Sequence, residues 1–307
     1  MKSIFVYNPE SGKSSVVKLK DYILNKLSKK FGEIDCVATT HAGHAKELAK
    51  ESIGKYDYFF IAGGDGTLNE VVNGFGSSET KPIIGYIPCG TVNDIARSIG
   101  ISRNIKKAVK TIMKGKPFEH DIFKLNRRYG IYVCCTGLFT KSSYDTDRYN
   151  KKKYGKIAYF NRGVNEIKDC KPVAVTLEIN GETIQKNCGL VLILNSRSVA
   201  GFPINKKAKL DDGEVEIVLF HSNKKNIPFD EISIIFKAFT FGIDSVKNHP
   251  SVTYRKASNF KITTNDGTII NLDGEKSDEG SFNFTVLPKA IKIIAPVKHK
   301  KLFFKIK

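Results

Sequence analysis

The sequence predicts an α/β fold over roughly its first 122 residues, followed by an antiparallel β-sandwich. Strand-like and helix-like periodicities alternate up to that point, which implies a mostly parallel sheet covered by helices. Beyond it β-prone runs follow one another, many joined by turn signals. Asn180-Gly181 and Asp266-Gly267 supply the positive φ that tight hairpins need. The 307 residues also suit two domains at roughly 150 residues each.

The elements follow in order. SIFVY (3–7) reads as a strand, NPESG as its loop, and Val16, Leu19, Ile23, Leu27 and Phe31 as the apolar stripe of a helix. EIDCVAT (33–39) and a helix from about Ala42 repeat the unit, as do YFFIA (58–62) with a helix carrying Leu68, Val71, Val72 and Phe75, and IIGYI (83–87) with a helix from about Asn93. Later strands are expected at 129–135, 172–180, 189–195, 214–221, 259–264, 268–272 and 282–287, with helical insertions near 154–169 and 228–240. No internal repeat is evident.

Composition removes several classes. Hydrophobic residues at 41% and charged residues at 26% are those of a globular protein, and the ten prolines form no low-complexity tract. Fifty Lys and Arg against 31 Asp and Glu give a net charge of +19, a field that concentrates phosphates, nucleic acid or anionic lipid. The six cysteines show no metal-ligand spacing, and Cys134 and Cys135 are adjacent, which suits a reducing cytoplasm better than a disulfide framework. No apolar run approaches the roughly 20 residues of a spanning helix, so any membrane contact is expected to be peripheral.

Three loops carry chemistry at strand-to-helix junctions. Gly63-Gly64-Asp65-Gly66-Thr67-Leu68-Asn69-Glu70 follows an apolar strand and opens a helix, where glycines let backbone N–H groups approach a phosphate. Three glycines alone read equally well as an ordinary turn, but Asp65 and Thr67 inside the loop serve no packing need, and Asp65 could hold Mg²⁺. Pro88-Cys89-Gly90-Thr91-Val92-Asn93-Asp94 reaches the same sheet edge, with an ordinary N-cap as the plainer reading. Asn8-Pro9-Glu10-Ser11-Gly12 supplies a third loop. Gly12-Lys13-Ser14 mimics the end of a phosphate-binding P-loop, but Tyr7 stands where its first glycine is required. Asp211-Asp212-Gly213 and Asp273-Gly274 read by spacing alone as turns. The first is also a plausible hard-cation site, and the second could project a carboxylate.

NPESG, TTHAGHA (39–45), GGDGTLNE (63–70), PCGTVNDIA (88–96), KLDDG (209–213) and NLDGE (271–275), in this order, resemble the soluble diacylglycerol kinase and lipid kinase family, relatives of sphingosine and ceramide kinases. The resemblance implies an NAD-kinase/phosphofructokinase-like α/β domain (1–122, with 291–307 returning to it) and a β-sandwich lipid-substrate domain (123–290). It implies an ATP- and Mg-dependent lipid kinase, with diacylglycerol as the first expected acceptor and phosphatidate as product. ATP would meet Asn8, Pro9, Glu10, Ser11, Gly12, Thr40, Gly63, Gly64, Asp65, Gly66, Thr67, Leu68, Asn69, Glu70, Thr91 and Asn93. Asp273 would act as general base on the lipid hydroxyl, supported by Glu275. Asp65, Asp94 and Asp121 would reach a catalytic Mg²⁺ through water, and the Asp212 carboxylate with the carbonyls of Lys209 and Glu214 would hold a structural one.

Phosphoryl transfer asks for such parts on its own account: positioning, neutralisation of charge on the γ-phosphate, and a carboxylate to orient the attacking hydroxyl. The expected partner is a lipid substrate at an anionic membrane surface, reached peripherally from the cytoplasmic side. Basic runs at 97–116 and 148–156 and in the tail KHKKLFFKIK would favour such headgroups. No nucleic-acid motif accompanies the charge, so no specific nucleic acid is expected. Oligomeric state is left open, with a homodimer as one option. Two alternatives are kept, an NAD kinase and a catalytically silent, nucleotide-dependent membrane-binding regulator.

Overall fold

Four apolar runs form the parallel strands β1 (Ser3–Tyr7), β2 (Ile34–Ala38), β3 (Tyr58–Gly63) and β4 (Ile83–Pro88). The computed structural model describes residues 1–11, 15–138, 171–222, 229–265 and 267–299. The chain divides into two compact units, Met1–Ile122 with Lys209–Asp212 and Pro288–Lys307, and Phe123–Ala208 with Gly213–Leu287. Lys209–Asp212 thus lies with the first unit, although its place in the sequence put it with the second.

In the first unit the sheet order is β15-β4-β3-β1-β2, the outer member being the end of β15 (Ser281–Ala295), where Ile293 pairs in parallel with Ile84. The connection from β1 to β2 moves one way across the sheet, and those from β2 to β3 and β3 to β4 move the other. Right-handed crossovers therefore place α2 (Lys20–Phe31) on one face, and α3 (His44–Ser52) and α4 (Asp65–Phe75) on the opposite one. Phe5, Phe59, Phe60, Ile61, Ile84 and Tyr86 are fully buried in the sheet.

The expected helix from Asn93 is two helices, α5 (Asp94–Ser98) and α6 (Ile105–Lys114), separated at Gly100, whose φ is +74°. Ile105, Ala108, Val109 and Ile112 bury one stripe of α6, so part of the basic run is simply its solvated face. Likewise α1 (Ser15–Lys18) breaks from α2 at Leu19.

The second unit is antiparallel. Its strand order is β14 (Glu275–Glu279), β13 (Ile269–Leu272), β7 (Val133–Gly137), β9 (Glu182–Leu194), β8 (Val173–Ile179), β12 (Asn259–Thr264) and β15, and β10 (Val215–His221) pairs with β9 and β11 (Val252–Ala257). Asn180 and Gly181, at φ +50° and +81°, turn β8 (Val173–Ile179) into β9 (Glu182–Leu194) as the sequence predicts. β9 is longer than expected because its first half pairs with β8 and its second half lies between β7 (Val133–Gly137) and β10. Phe123, Phe260, Phe282 and Phe284 anchor its core, with Phe260 stacked on Phe284 at 4.6 Å between centroids.

Several expectations change here. Run 129–135 splits into β6 (Arg128–Gly130) and β7, and run 282–287 is only the start of β15. β5 (Lys116–Leu125), β11 and β14 (Glu275–Glu279) were not foreseen, because charged residues interrupt their apolar alternation. Asp266 of the expected Asp266-Gly267 hairpin lies outside the described residues, and the flanking strands pair elsewhere: β12 (Asn259–Thr264) with β15 and β8, and β13 (Ile269–Leu272) with β14 and β7. Helix α7 (Phe229–Phe241) occupies the expected 228–240, whereas 154–169 lies outside the described residues.

Gly74 lets α4 lie against α3, since a methyl group there would strike the Lys46 carbonyl oxygen and come within 2.8 Å of the Ala49 Cβ. Gly74→Ala should therefore destabilise the protein by about 1–3 kcal/mol, despite alanine's helix preference of roughly 1 kcal/mol. The urea midpoint measures this, and an unchanged or higher midpoint would show that α3 gives way.

Candidate active site

The direction of travel across the parallel sheet reverses between β1 and β3, so the loops after those strands flank a topological switch point, the customary ligand site of such sheets. Hydrogen bonds knit the edge: Asn8 N–H donates to the Ala62 carbonyl at 3.0 Å and Cys89 N–H to the Gly63 carbonyl at 2.8 Å. Asn8 folds its own loop, its Oδ1 accepting from Glu10 N–H at 2.9 Å and its carbonyl from Ser11 N–H at 3.2 Å. Gly12 lies outside the described residues.

Gly64 and Gly90 bring the second and third loops together backbone to backbone. A Cβ on Gly90 would fall 2.7 Å from the Gly64 Cα and 2.8 Å from Asn93 Oδ1. Asn93, buried and left-handed at φ +56°, clasps the Gly90 peptide unit: Oδ1 accepts its N–H at 2.9 Å, and Nδ2 donates to its carbonyl at 2.7 Å. Gly63 makes room for Thr67, whose Oγ1 would lie 2.7 Å from a Cβ there.

Asp65 joins the two helices that start at this edge. One carboxylate oxygen accepts Asp94 N–H at 2.9 Å and the other accepts Ile95 N–H at 3.2 Å, so a residue at the start of α4 caps the first turn of α5. The role expected for Asp65 was at Mg²⁺; its hydrogen bonds here are those of a cap between loops. Asp94 is buried beside it, and beneath both lies fully buried Tyr86, whose hydroxyl donates to the Gly63 carbonyl at 3.3 Å. Burial, then the charges of Asp65, Cys89 and Asp94, push the Tyr86 phenol well above its ordinary value. Burial likewise pushes the Cys89 thiol up to about 12, which keeps it inert as a nucleophile.

The remaining nucleotide-loop candidates divide. Gly64, Gly66, Thr67 and Glu70 are partly open to solvent and Thr91 is exposed, while Leu68 is fully buried and its side chain belongs to the core. Asn69 is also buried, and its Oδ1 and carbonyl each accept from Asn73 Nδ2 at 3.0 Å. Thr40 N–H donates to His44 Nδ1 at 3.1 Å, and His44 stacks on His41 at 4.8 Å, which in turn meets Glu47 at 3.3 Å. His44 and Arg103, whose guanidinium donates to the Thr91 carbonyl at 2.7 Å, are supports the sequence reading missed. The signal for His44 lay inside TTHAGHA; Arg103 carried none.

Asp121 stands on β5, fully buried, with Oδ1 accepting Lys289 N–H at 2.6 Å and its own N–H donating to the Leu210 carbonyl at 2.7 Å. That last bond fastens the Lys209–Asp212 segment to β5. Asp212 and Lys209 are partly exposed and belong to the first unit; Glu214 is exposed and belongs to the second. Among the described residues no three His, Cys, Asp or Glu side chains gather as a ready metal cage. An ion held by one or two carboxylates with water and phosphate oxygens, the habit of Mg²⁺, still fits Asp65 and Asp94 at this edge.

In the second unit Asp273 and Gly274, at φ +51° and +90°, form the two-residue turn between β13 and β14, where Leu272 faces Glu275. The buried Asp273 carboxylate accepts three successive backbone N–H groups, from Ile131 at 2.6 Å, Tyr132 at 3.0 Å and Val133 at 2.9 Å. Asn195 secures the same segment, its Nδ2 donating to the Ile131 carbonyl at 2.8 Å and its N–H to the Tyr132 carbonyl at 3.0 Å. Glu275, its expected helper, is exposed at the start of β14. Asp273 is thus a structural anchor whatever else it does.

Residues 2–125 match the diacylglycerol kinase catalytic domain family, and 134–295 match the YegS C-terminal NAD kinase beta sandwich-like domain. A diacylglycerol kinase of Staphylococcus carnosus is 35% identical over 97% of this chain and 96% of its own length. The chain belongs to the diacylglycerol kinase family. It is accordingly a lipid kinase, with the α/β nucleotide-domain and β-sandwich architecture predicted from its sequence. A diacylglycerol kinase of Staphylococcus saprophyticus is 34% identical over 95% of this chain and 94% of its own. A solved Bacillus anthracis structure, described as a diacylglycerol kinase, superposes with a TM-score of 0.80 at 25% identity, covering 97% of this chain and 98% of that one. A second chain from that organism reaches 0.84 at 26% identity, covering 97% and 96%.

Two measurements test this lipid kinase's site as described. Asp65→Ala removes the acceptor of two helix-start amides and should cost about 1–2 kcal/mol of stability without any nucleotide present, with Asp65→Asn intermediate. Unchanged melting of Asp65→Ala would mean that the carboxylate does not order α5. The second concerns His120, buried beside Asp121, with Nδ1 hydrogen-bonded to the Asp121 carbonyl oxygen. Burial lowers its pKa from 6.5 to about 4, against a smaller opposing effect of that hydrogen bond. The unfolded chain therefore binds the proton first, and stability should fall as pH drops from about 6.5 towards 4, by up to roughly 3 kcal/mol. His120→Asn should flatten that slope in urea titrations; an equal slope would assign it to other groups.

Proposed function

We propose that this lipid kinase transfers the γ-phosphate of ATP, with Mg²⁺, to the hydroxyl of diacylglycerol at an anionic membrane surface, forming phosphatidate. The observation that carries the nucleotide half is the convergence of the Asn8, Gly64 and Gly90 loops on the switch point of a parallel sheet, with the N-terminus of α4 opening there. Backbone N–H groups at that helix start suit phosphate oxygens, and the missing side chains of Gly64 and Gly66 allow close approach. The acceptor is inferred from the activity named for the curated relatives.

In this reading Asn8, Pro9, Glu10, Ser11, Gly12, Thr40, Gly63–Glu70, Thr91 and Asn93 frame the nucleotide. Leu68 and Asn69 contribute through the backbone and helix packing rather than through exposed side chains. Asp65 and Asp94 would hold Mg²⁺ through water, with Asp121 in the same network, and Asp212 with the carbonyls of Lys209 and Glu214 would hold a structural ion. Bound Mg²⁺ supplies neutralisation of charge on the transferring phosphate.

Asp273 is the proposed base. Its carboxylate is held at the turn between β13 and β14 by the N–H groups of residues 131–133, which fixes the position from which it would meet a lipid hydroxyl. As the hydroxyl oxygen attacks the γ-phosphorus and the bond to the departing ADP oxygen breaks, its proton passes to Asp273. Glu275 would then raise the local negative potential that favours this transfer.

Transfer of labelled γ-phosphate to a panel of diacylglycerol, monoacylglycerol, ceramide, phosphatidylglycerol and NAD tests the reading. Label is expected in diacylglycerol. Asp273→Asn should lower turnover at least 100-fold, as expected for removal of an essential base, and should also lower the melting temperature, because an amide nitrogen then opposes a backbone donor. Label in NAD, or full turnover in Asp273→Asn, would overturn the acceptor or the base respectively.

A further inference from the structure

Helix α7 carries aromatic side chains on two faces. Inward, Ile235 and Ala238 are buried, and Phe239 meets Phe202 edge-on at 5.8 Å between centroids. Outward, Ser233, Phe236, Lys237, Thr240 and Phe241 recur at the i, i+3, i+4, i+7, i+8 spacing of a single stripe, and all are exposed. Phe241 is 65% exposed and Phe236 47%, which makes this helix the source of two of the five exposed large hydrophobic side chains among the described residues.

Lysines from other segments gather around the end of the helix. Phe241 borders a cleft lined also by Lys206, Lys207, Lys247 and Lys256, against two carboxylates, Glu216 and Asp244. Lys207 and Lys247 share Asp244 at 3.1 Å and 2.7 Å, and Lys256 meets Glu216 at 2.9 Å, so cations exceed anions around the ring. Arg197 adds another, its Nε donating to the Lys206 carbonyl at 2.8 Å. The acidic residues of α7, Asp230 and Glu231, sit at its opposite end.

We infer that the outward face of α7, with the lysines around Phe241, is the surface by which the second unit docks on a bilayer containing anionic phospholipid. The phenylalanines enter the boundary of the acyl region, and Lys206, Lys207, Lys237 and Lys247 engage the headgroups. Thirteen residues are too few to span a bilayer, and exposed phenylalanines beside Lys237 and the lysines around Phe241 suit its interface. A symmetric contact with a second copy would press like charges together, which disfavours that occupant. The inference rests on the proposal of an anionic membrane as partner and adds the face that meets it.

Co-sedimentation with vesicles of phosphatidylcholine, with and without phosphatidylglycerol, tests it on the full chain. The wild type should partition onto the anionic vesicles. Phe236→Ser/Phe241→Ser and Lys206→Glu/Lys207→Glu should each bind them on the order of tenfold more weakly, while melting temperatures and turnover of dioctanoylglycerol in detergent micelles stay unchanged. Failure of the wild type itself to bind would overturn the membrane reading. Binding of both variants as tight as wild type would overturn this face alone. Conversion of a dimer to a monomer in the phenylalanine variant, with vesicle binding intact, would make the face a self-association contact and equally overturn docking. Loss of binding without any diacylglycerol phosphorylation in any sample would leave docking standing and remove the proposed acceptor.

Discussion

The candidate nucleotide edge depends on one interaction, the Asp65 carboxylate accepting the Asp94 and Ile95 N–H groups. Two helices begin at neighbouring strand ends, and each start carries N–H groups with no partner inside its own helix. Asp65 satisfies those of α5 from the first turn of α4, where its negative charge also suits the helix dipole. The backbone contact of Gly64 with Gly90 follows from it, since any side chain on Gly90 would wedge apart the loops the carboxylate draws together. Asn93 completes the arrangement in the left-handed conformation that asparagine tolerates better than most residues.

The second unit uses the same device. Asp273 sits at the first position of an Asp-Gly turn, and its carboxylate gathers the N–H groups of residues 131–133 from a segment about 140 positions earlier. In both units an aspartate from one loop fixes the main chain of another, so the acidic residue of the motif is also its scaffold. Charge-assisted bonds of this kind are stronger than neutral ones, which holds the surrounding backbone rigid. Catalytic preorganisation demands that rigidity, because a misplacement of about 1 Å can cost on the order of 100-fold in rate.

Much of this was legible in the sequence. The βα alternation survives in β1 to β4 and α2 to α4, since each strand there is a short apolar run closed by turn residues. Charged residues hid β5 and β14, which carry Glu119 and Lys124, and Lys276 and Glu279, respectively. The motif loops were found because glycine, aspartate and threonine are costly choices at strand ends unless backbone geometry requires them. Their internal wiring was not. Nothing local tells that Asp65 reaches Asp94 rather than solvent, that Leu68 turns inward while Thr67 stays open, or that Arg103 grips Thr91. Those facts depend on tertiary placement, which residue type alone does not encode.

The first unit's sheet takes one of its strands from the end of the chain. Ile293 pairs with Ile84, Lys81 Nζ donates to the Ala290 carbonyl 209 positions away, and Lys289 N–H reaches Asp121. During vectorial synthesis β4 therefore emerges with a bare edge and stays so until Ile293 follows it. Unpaired strand edges attract other chains, and contacts of such long range form late. The first unit is thus completed only after strands of the second have been made, and chaperone dependence in the cell should fall on the waiting edge of β4.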